Sequence, residues 1–204
     1  MNKREQQKQA TRQKLITAAR ELFIEQGLQV NAADIACASQ VSRATFYLHF
    51  TSINELLQVL TEEIWIGAND LYVRFSLLPD WSRQSLHSWL LEVSDAWQRD
   101  AKLMGLLVDY RQDEMRSEYH RYLHEYTEIL TSAPERWAHM SPEEAKQRAF
   151  LLIVQLEACM LEWVVRGWPA SADVMLRILA DIWHSTLLPP PPRNPLKLHC
   201  QRIV

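Results

Sequence analysis

Six residues near the start of the chain are of the types that read double-stranded DNA. Ser42, Arg43, Ala44 and Thr45 form a run of small or hydrogen-bonding side chains, and Tyr47 and His49 follow within four positions. A guanidinium at Arg43 can grip guanine through two parallel hydrogen bonds or pair with a phosphate. Thr45 can do either or touch a thymine methyl. If Ser42 caps a helix, the helix N-terminus brings backbone donors close to phosphate and base edges. Tyr47 and His49 then stand at its far end with polar tips that reach phosphate, while Phe46 and Phe50, four apart, share the face turned to the core.

A second set of residues is suited to holding a small molecule. All eight tryptophans lie beyond residue 60. Trp65, Trp97 and Trp163, with Tyr110 and Tyr126, are candidates to line a pocket for an apolar or aromatic effector. Glu157 interrupts an apolar helix and is a candidate to hold a polar group of that effector, with Arg166 or Tyr126 as alternatives. Ordinary core packing of each tryptophan and a hydrogen-bonded interface carboxylate at Glu157 are the competing readings.

Other chemistries are poorly supported. His120 and His124 have the i, i+4 spacing of a two-histidine metal face, but no third ligand accompanies them, and Arg116, Arg121 and Glu125 mark a solvated surface. Cys37, Cys159 and Cys200 are odd in number, far apart and without a CxxC pair, so reduced and mostly buried thiols are expected, with Cys159 buried and inert. The four glycines, Gly27, Gly67, Gly105 and Gly167, form no phosphate loop, which excludes Rossmann and P-loop nucleotide enzymes. No nucleophile and base pair stands out, so neither an enzyme nor a cofactor is expected.

The elements that must position these residues read as helices throughout. Leu15, Ile16, Ala19, Leu22 and Phe23 recur on one helical face between Thr11 and Gln26, and Gly27 stands where a helix ends. Asn31, with Asp34 at N3, caps a short helix to about Ala38. Ser42 caps a second through Tyr47, and Ser52 with Glu55 forms a capping box opening a longer helix with the face Leu56, Leu57, Leu60 and Ile64. Helix, short turn and helix within 31–49 is the layout of a helix-turn-helix. Beyond a loop at 77–82, helices are expected to about Arg99, over Leu103 to Arg111, and from Glu114 into the 130s, where Pro134 kinks or divides the chain. Ser141 and Pro142 open a helix over 142–167, stopped by Gly167 and Pro169, and Ser171 caps a last one over 172–187. No strand alternation is sustained, so the fold class is all-α.

Charge is uneven along the 204 residues. Positions 1–60 hold seven Lys/Arg against five acids, and the remainder 15 against 20, within a net charge of −3. A basic arm over residues 1–10 on an otherwise acidic protein fits polyanion binding at one end, or a solvated helix face. The polar opening holds no signal-peptide core, and no run of about eighteen uncharged apolar residues occurs, so a cytoplasmic protein without a membrane partner is expected.

In AARELFIEQG, NAADIA, VSRATFYLHF and SINELL, over about residues 11–60, the chain resembles the TetR family of bacterial transcription regulators. That resemblance implies a dimeric regulator binding double-stranded DNA, with an N-terminal DNA-binding domain over 1–60 and a helical effector-binding and dimerisation domain over 61–188. A Pro-rich tail spans 189–204. It implies phosphate contacts from Asn31, Tyr47 and His49, and places Ser42, Arg43, Ala44 and Thr45 on the recognition helix. Two departures stand out. Gln40 replaces the usual turn glycine and brings a strain cost, and Ile53 replaces the lysine that usually opens the fourth helix, so that weaker DNA binding, or compensation from Arg12 and the basic arm, is expected. The last two helices offer Leu151, Leu152, Val154, Ala158, Leu161, Val165, Val174, Leu176, Ile178, Leu179, Ile182 and Trp183, enough apolar surface for a homodimer interface through 142–167 and 172–187, with the core of a single protomer as the competing use. The expected function is a repressor released from a pseudopalindromic operator by a small effector. An effector-independent architectural protein on the same fold and a helical carrier or enzyme are the alternatives.

Overall fold

The computed structural model describes residues 2–110 and 112–188, with the side chains of 109–118 outside that description. The Pro-rich tail and the Tyr110 and Arg116 side chains therefore lie outside the described residues. Within them the chain is helical and no strand forms: α1 (Lys3–Gln26), α2 (Ala32–Ala38), α3 (Arg43–His49), α4 (Ile53–Ser76), α5 (Arg83–Tyr110), α6 (Gln112–Leu130), α7 (Pro142–Met160) and α8 (Ala172–Leu187).

The caps follow the sequence closely. Asn31 accepts from the backbone of Ala33 and Asp34, and the Asp34 carboxylate returns a bond to the Asn31 N–H at 2.9 Å, a complete capping box. Ser42 accepts from Thr45 N at 3.0 Å, and Ser141 from Glu144 N at 3.2 Å with Pro142 at N1. At α4 the expected box is altered. Ser52 caps Glu55 N, but Glu55 Oε2 reaches past Ser52 to accept from Thr51 N at 2.6 Å and Thr51 Oγ1 at 2.7 Å.

Three helices differ from expectation. Rather than beginning at Thr11, α1 starts at Lys3, because Asn2 caps it and the Lys, Arg and Gln residues that follow are good helix formers. The basic arm is thus a helical extension. Segments expected as separate helices, to Arg99 and over 103–111, are continuous in α5. No proline or cap interrupts Asp100–Met104, and Gly105 is carried inside the helix where a Cβ would stand 3.3 Å from Val165. The helix expected over 142–167 is α through Met160 and widens into a π turn over Leu161–Val165 before Gly167, at φ +75°, ends it. Pro134 divides rather than kinks, opening a 3₁₀ turn over Pro134–Trp137. Gly67 leaves α4 unbroken.

Two cores result. One gathers Leu15, Ile16, Ala19 and Phe23 of α1, Ile35 of α2, Phe46 and Phe50, and Leu56, Leu57 and Leu60 of α4, with Leu103 and Leu107 reaching in from α5. The other joins the distal half of α4 to α5–α8 around Trp89, Tyr126 and Trp183. Helices α4 and α5 belong to both, so neither core can shift without disturbing an element of the other.

Candidate nucleic-acid interface and buried aromatic site

The turn between α2 and α3 is closed by Val41 N donating to Ala36 O at 2.9 Å, and Gln40 takes φ +57° to make it. That is the left-handed conformation a glycine would enter freely and a side chain enters at a cost. Phe46 and Phe50 are fully buried and anchor α3 against α1 and α4. The rest of α3 faces outward. Ser42, Arg43, Ala44, Tyr47 and Leu48 are exposed and Thr45 is half-buried, with Ser42 and Thr45 sharing a hydroxyl hydrogen bond of 2.8 Å. The Arg43 guanidinium lies against Tyr47, donating to its hydroxyl at 3.5 Å.

Leu48, 78% exposed, was not among the expected contact residues. Its position two residues from both Phe46 and Phe50 sets it opposite the buried face, so the helical period alone identifies it as an apolar side chain offered to a groove.

Arg12 and His49 meet at the edge of this face. The Arg12 guanidinium sits 4.8 Å from the centre of the Phe50 ring. His49 is half-buried, its Nδ1 enclosed without a partner, and burial, with Lys8 and Arg12 adding, lowers its pKa. It is therefore neutral at pH 7 and presents one N–H. Asn31 is exposed at the start of α2, where its side-chain oxygen is already used in capping. Ile53 is half-buried against the first core rather than projecting as a lysine would.

In the second core, three of the expected effector residues come together. Trp65 stacks on Tyr122 with ring centres 4.6 Å apart, and Tyr126 donates its hydroxyl to the Trp65 carbonyl at 3.1 Å. Tyr126 also packs 4.4 Å from Tyr72, whose hydroxyl donates to Glu157 at 3.2 Å. Glu157 is buried and is hydrogen-bonded by Tyr119 as well. Burial pushes its carboxyl up to about 7 despite the two hydroxyls, which favour the charged form. The Trp65 indole N–H is buried without a partner.

Tyr72, Tyr119 and Tyr122 were not foreseen here, although Tyr119, Tyr122 and Tyr126 follow the i, i+3, i+7 spacing of one helical face. His120 and His124 fall on the opposite, exposed face. Trp97 and Trp163 are half-buried against the same core, and Tyr110 lies outside the described side chains. Trp81, Trp89, Trp137 and Trp183 form a further aromatic cluster with Phe75, joined to the first by Tyr72 6.2 Å from Trp89, and the Trp89 N–H is satisfied by the Leu71 carbonyl at 2.8 Å. These are core residues.

Of the apolar residues on the last helices, Leu152, Leu176, Leu179 and Trp183 are buried in the protomer. Phe150, Leu151, Val174, Ile178 and Ile182 remain exposed. Cys37 is exposed, contrary to the expectation of mostly buried thiols, and Cys159 is half-buried with its thiol 3.7 Å from the Met175 sulfur. No helix among the described residues is long and apolar enough to cross a membrane.

Residues 15–60 match the family model for bacterial regulatory proteins of the tetR family. No curated protein matches the chain. Among solved structures, a TetR-family transcriptional regulator from Mesorhizobium loti is similar with a TM-score of 0.69 at 20% identity, covering 89% of this chain and 96% of that one. A TetR-family regulator from Syntrophomonas wolfei gives 0.69 at 16% identity, covering 91% and 99%. Thermus thermophilus FadR, a TetR-family transcriptional repressor in complex with lauroyl-CoA, gives 0.60 at 18%, covering 89% and 97%. Residues 15–60 thus match the tetR-family model, and the helical architecture as a whole is similar to that of solved TetR-family regulators.

Proposed function

We propose that the protein is a homodimeric repressor that binds a pseudopalindromic operator and is released from it by a small effector with an aromatic or apolar body. The observation that carries the reading is α3 itself. Two phenylalanines lock it to the core, while Ser42, Arg43, Thr45, Tyr47 and Leu48 face outward with Arg12 and His49 beside them. Arg43 and Thr45 read base edges, Leu48 touches a thymine methyl, and Tyr47, neutral His49, Asn31 and Arg12 hold phosphates.

A second copy would pack on Leu151, Val174, Ile178 and Ile182, placing two recognition helices about one helical turn of DNA apart. An effector near Trp65, Tyr126 and Glu157 would act through α4, which carries Trp65 and Tyr72 at one end and Leu56, Leu57 and Leu60 at the other. By favouring a state in which the helices are wrongly spaced, it lowers operator affinity without touching DNA. The lauroyl-CoA in Thermus thermophilus FadR supports a small-molecule effector on this fold.

Selection of genomic fragments by the purified protein at fixed salt, followed by a footprint on the best fragment, tests the reading. Protection of two half-sites related by a dyad is the expected result. Absence of enrichment over random DNA overturns it.

A further inference from the structure

On the reading that the second core takes a small effector, we propose that this effector is an organic cation, an aromatic or alkylated ammonium. It is held by the Glu157 carboxylate among the rings of Trp65, Tyr72, Tyr119, Tyr122 and Tyr126. Three features of the site point the same way.

The first is the charge balance at Glu157. Its carboxylate is enclosed, and the groups that bond it are the hydroxyls of Tyr72 from α4 and Tyr119 from α6. Among the described residues, Tyr126, also from α6, feels its charge as well. Phenols supply hydrogen bonds and no positive charge, and among the described residues no lysine or arginine forms an ion pair with Glu157. A buried carboxylate left in that state is stabilised by any cation that reaches it. An acidic ligand would instead meet like charge.

The second is the company it keeps. Tyr72 and Tyr119 bond the carboxylate and Tyr126 feels its charge, and Trp65 and Tyr122 pack on these rings, with neighbouring centres 4.4 to 6.5 Å apart. Ring faces carry partial negative charge, and faces grouped beside an anion are the arrangement that recognises substituted ammonium ions. One of these rings already lies against a cation, with the Arg121 guanidinium 4.8 Å from the Tyr122 centre. The third feature is the unpartnered, buried Trp65 N–H, a donor free for an acceptor atom on the same ligand. Tyr119 is the half-exposed member of the group.

Because burial holds the free carboxyl at about 7, a cation must displace a proton at lower pH. Its apparent affinity therefore rises with pH.

Benzyltrimethylammonium, permanently charged, and neopentylbenzene, its neutral carbon analogue, are the probes, titrated by calorimetry into the full-length protein at pH 6 and pH 8. At pH 8 the cation is expected to bind about ten-fold or more tightly than the hydrocarbon. Its affinity is expected to fall about ten-fold at pH 6, and E157Q to abolish both effects. Equal binding of the two probes, no cation binding at millimolar concentration, or a cation preference that survives E157Q overturns the proposal. Should E157Q not fold, the two probes and two pH values in the unaltered protein decide. Y119F, which removes one donor to the carboxylate, is then expected to move the pH dependence upward. A mobility-shift assay on genomic fragments runs alongside. DNA binding without cation preference refutes the effector class alone, whereas cation preference without sequence-specific DNA binding refutes the regulator reading.

Discussion

Arg20 of α1 donates to Asp100 of α5 at 2.7 Å, and its other terminal nitrogen reaches Glu63 of α4 at 3.0 Å. One guanidinium thus joins α1 to both helices that run between the two cores. All three side chains are about a third exposed, so water screens the pairs and their contribution is modest. Arg20→Ala is expected to cost about 1 kcal/mol in urea unfolding, and a double-mutant cycle with Asp100→Ala to return a coupling below about 1 kcal/mol. The coupling should shrink further in 1 M salt.

Gln40 offers a test of the strained turn. At φ +57° a side chain costs about 1 to 2 kcal/mol, and replacing it with glycine returns part of that gain as unfolded-state entropy. Gln40→Gly is expected to raise stability by up to about 1 kcal/mol in chemical denaturation. A loss of stability would mean that Gln40 makes compensating contacts.

How much of this was legible in the sequence depended on the range of the forces involved. Asn31, Ser42, Ser141 and Pro142 act within one turn of backbone, so their caps stand where their types place them. Phe46 and Phe50 likewise declare the inner face of α3 by spacing alone. Where long-range packing decides, local signals failed. A break was expected between Arg99 and Leu103, and the chain instead runs through it in α5, where Gly105 makes a close approach to Val165. The π turn at 161–165 has no local signature. In the second core Glu157, Trp65 and Tyr126 were recognisable as polar or aromatic departures from an apolar background. Tyr72, from a helix 85 positions away in sequence, was not. Its partnership with Glu157 exists only once α4 and α7 pack together.

Tyr47 and Phe46 are neighbours with opposite duties, and they should separate cleanly. Tyr47 is about half exposed, so Tyr47→Ala is expected to leave thermal stability within about 0.5 kcal/mol and to weaken DNA binding by about ten-fold or more at fixed salt. Phe46→Ala removes a fully buried ring and is expected to cost about 3 to 5 kcal/mol. Circular dichroism melts and mobility shifts on the same preparations distinguish the two.

Val174, Ile178 and Ile182 repeat every four residues along α8 and stay exposed in the protomer. Such a stripe is covered in an oligomer, and a charge at its centre would be buried without a partner. Ile178→Glu is expected to convert a dimer to monomers in sedimentation equilibrium and to abolish binding to a two-half-site operator. A monomeric parent protein would overturn the assignment of this face.

Glu157 makes the stability of the fold depend on pH in a direction opposite to that of a typical carboxylate. Its carboxyl is held at about 7 in the native state, against an ordinary value of 4.5. Between those values the native state retains a proton that the unfolded chain has released, so unfolding releases protons and stability falls as pH rises. The stabilisation is fully present below about pH 4.5 and is lost by about pH 7, with a magnitude on the order of 3 kcal/mol. Glu157→Gln keeps the shape, carries no charge, and should remove this slope, leaving the variant more stable than the parent at pH 8 and nearly equal to it at pH 4.5. Unfolding by urea at four or five pH values across that window measures it. A parent whose stability at pH 8 matches that of the variant would mean that the Tyr72 and Tyr119 hydroxyls suffice to hold the ionised carboxylate at no cost.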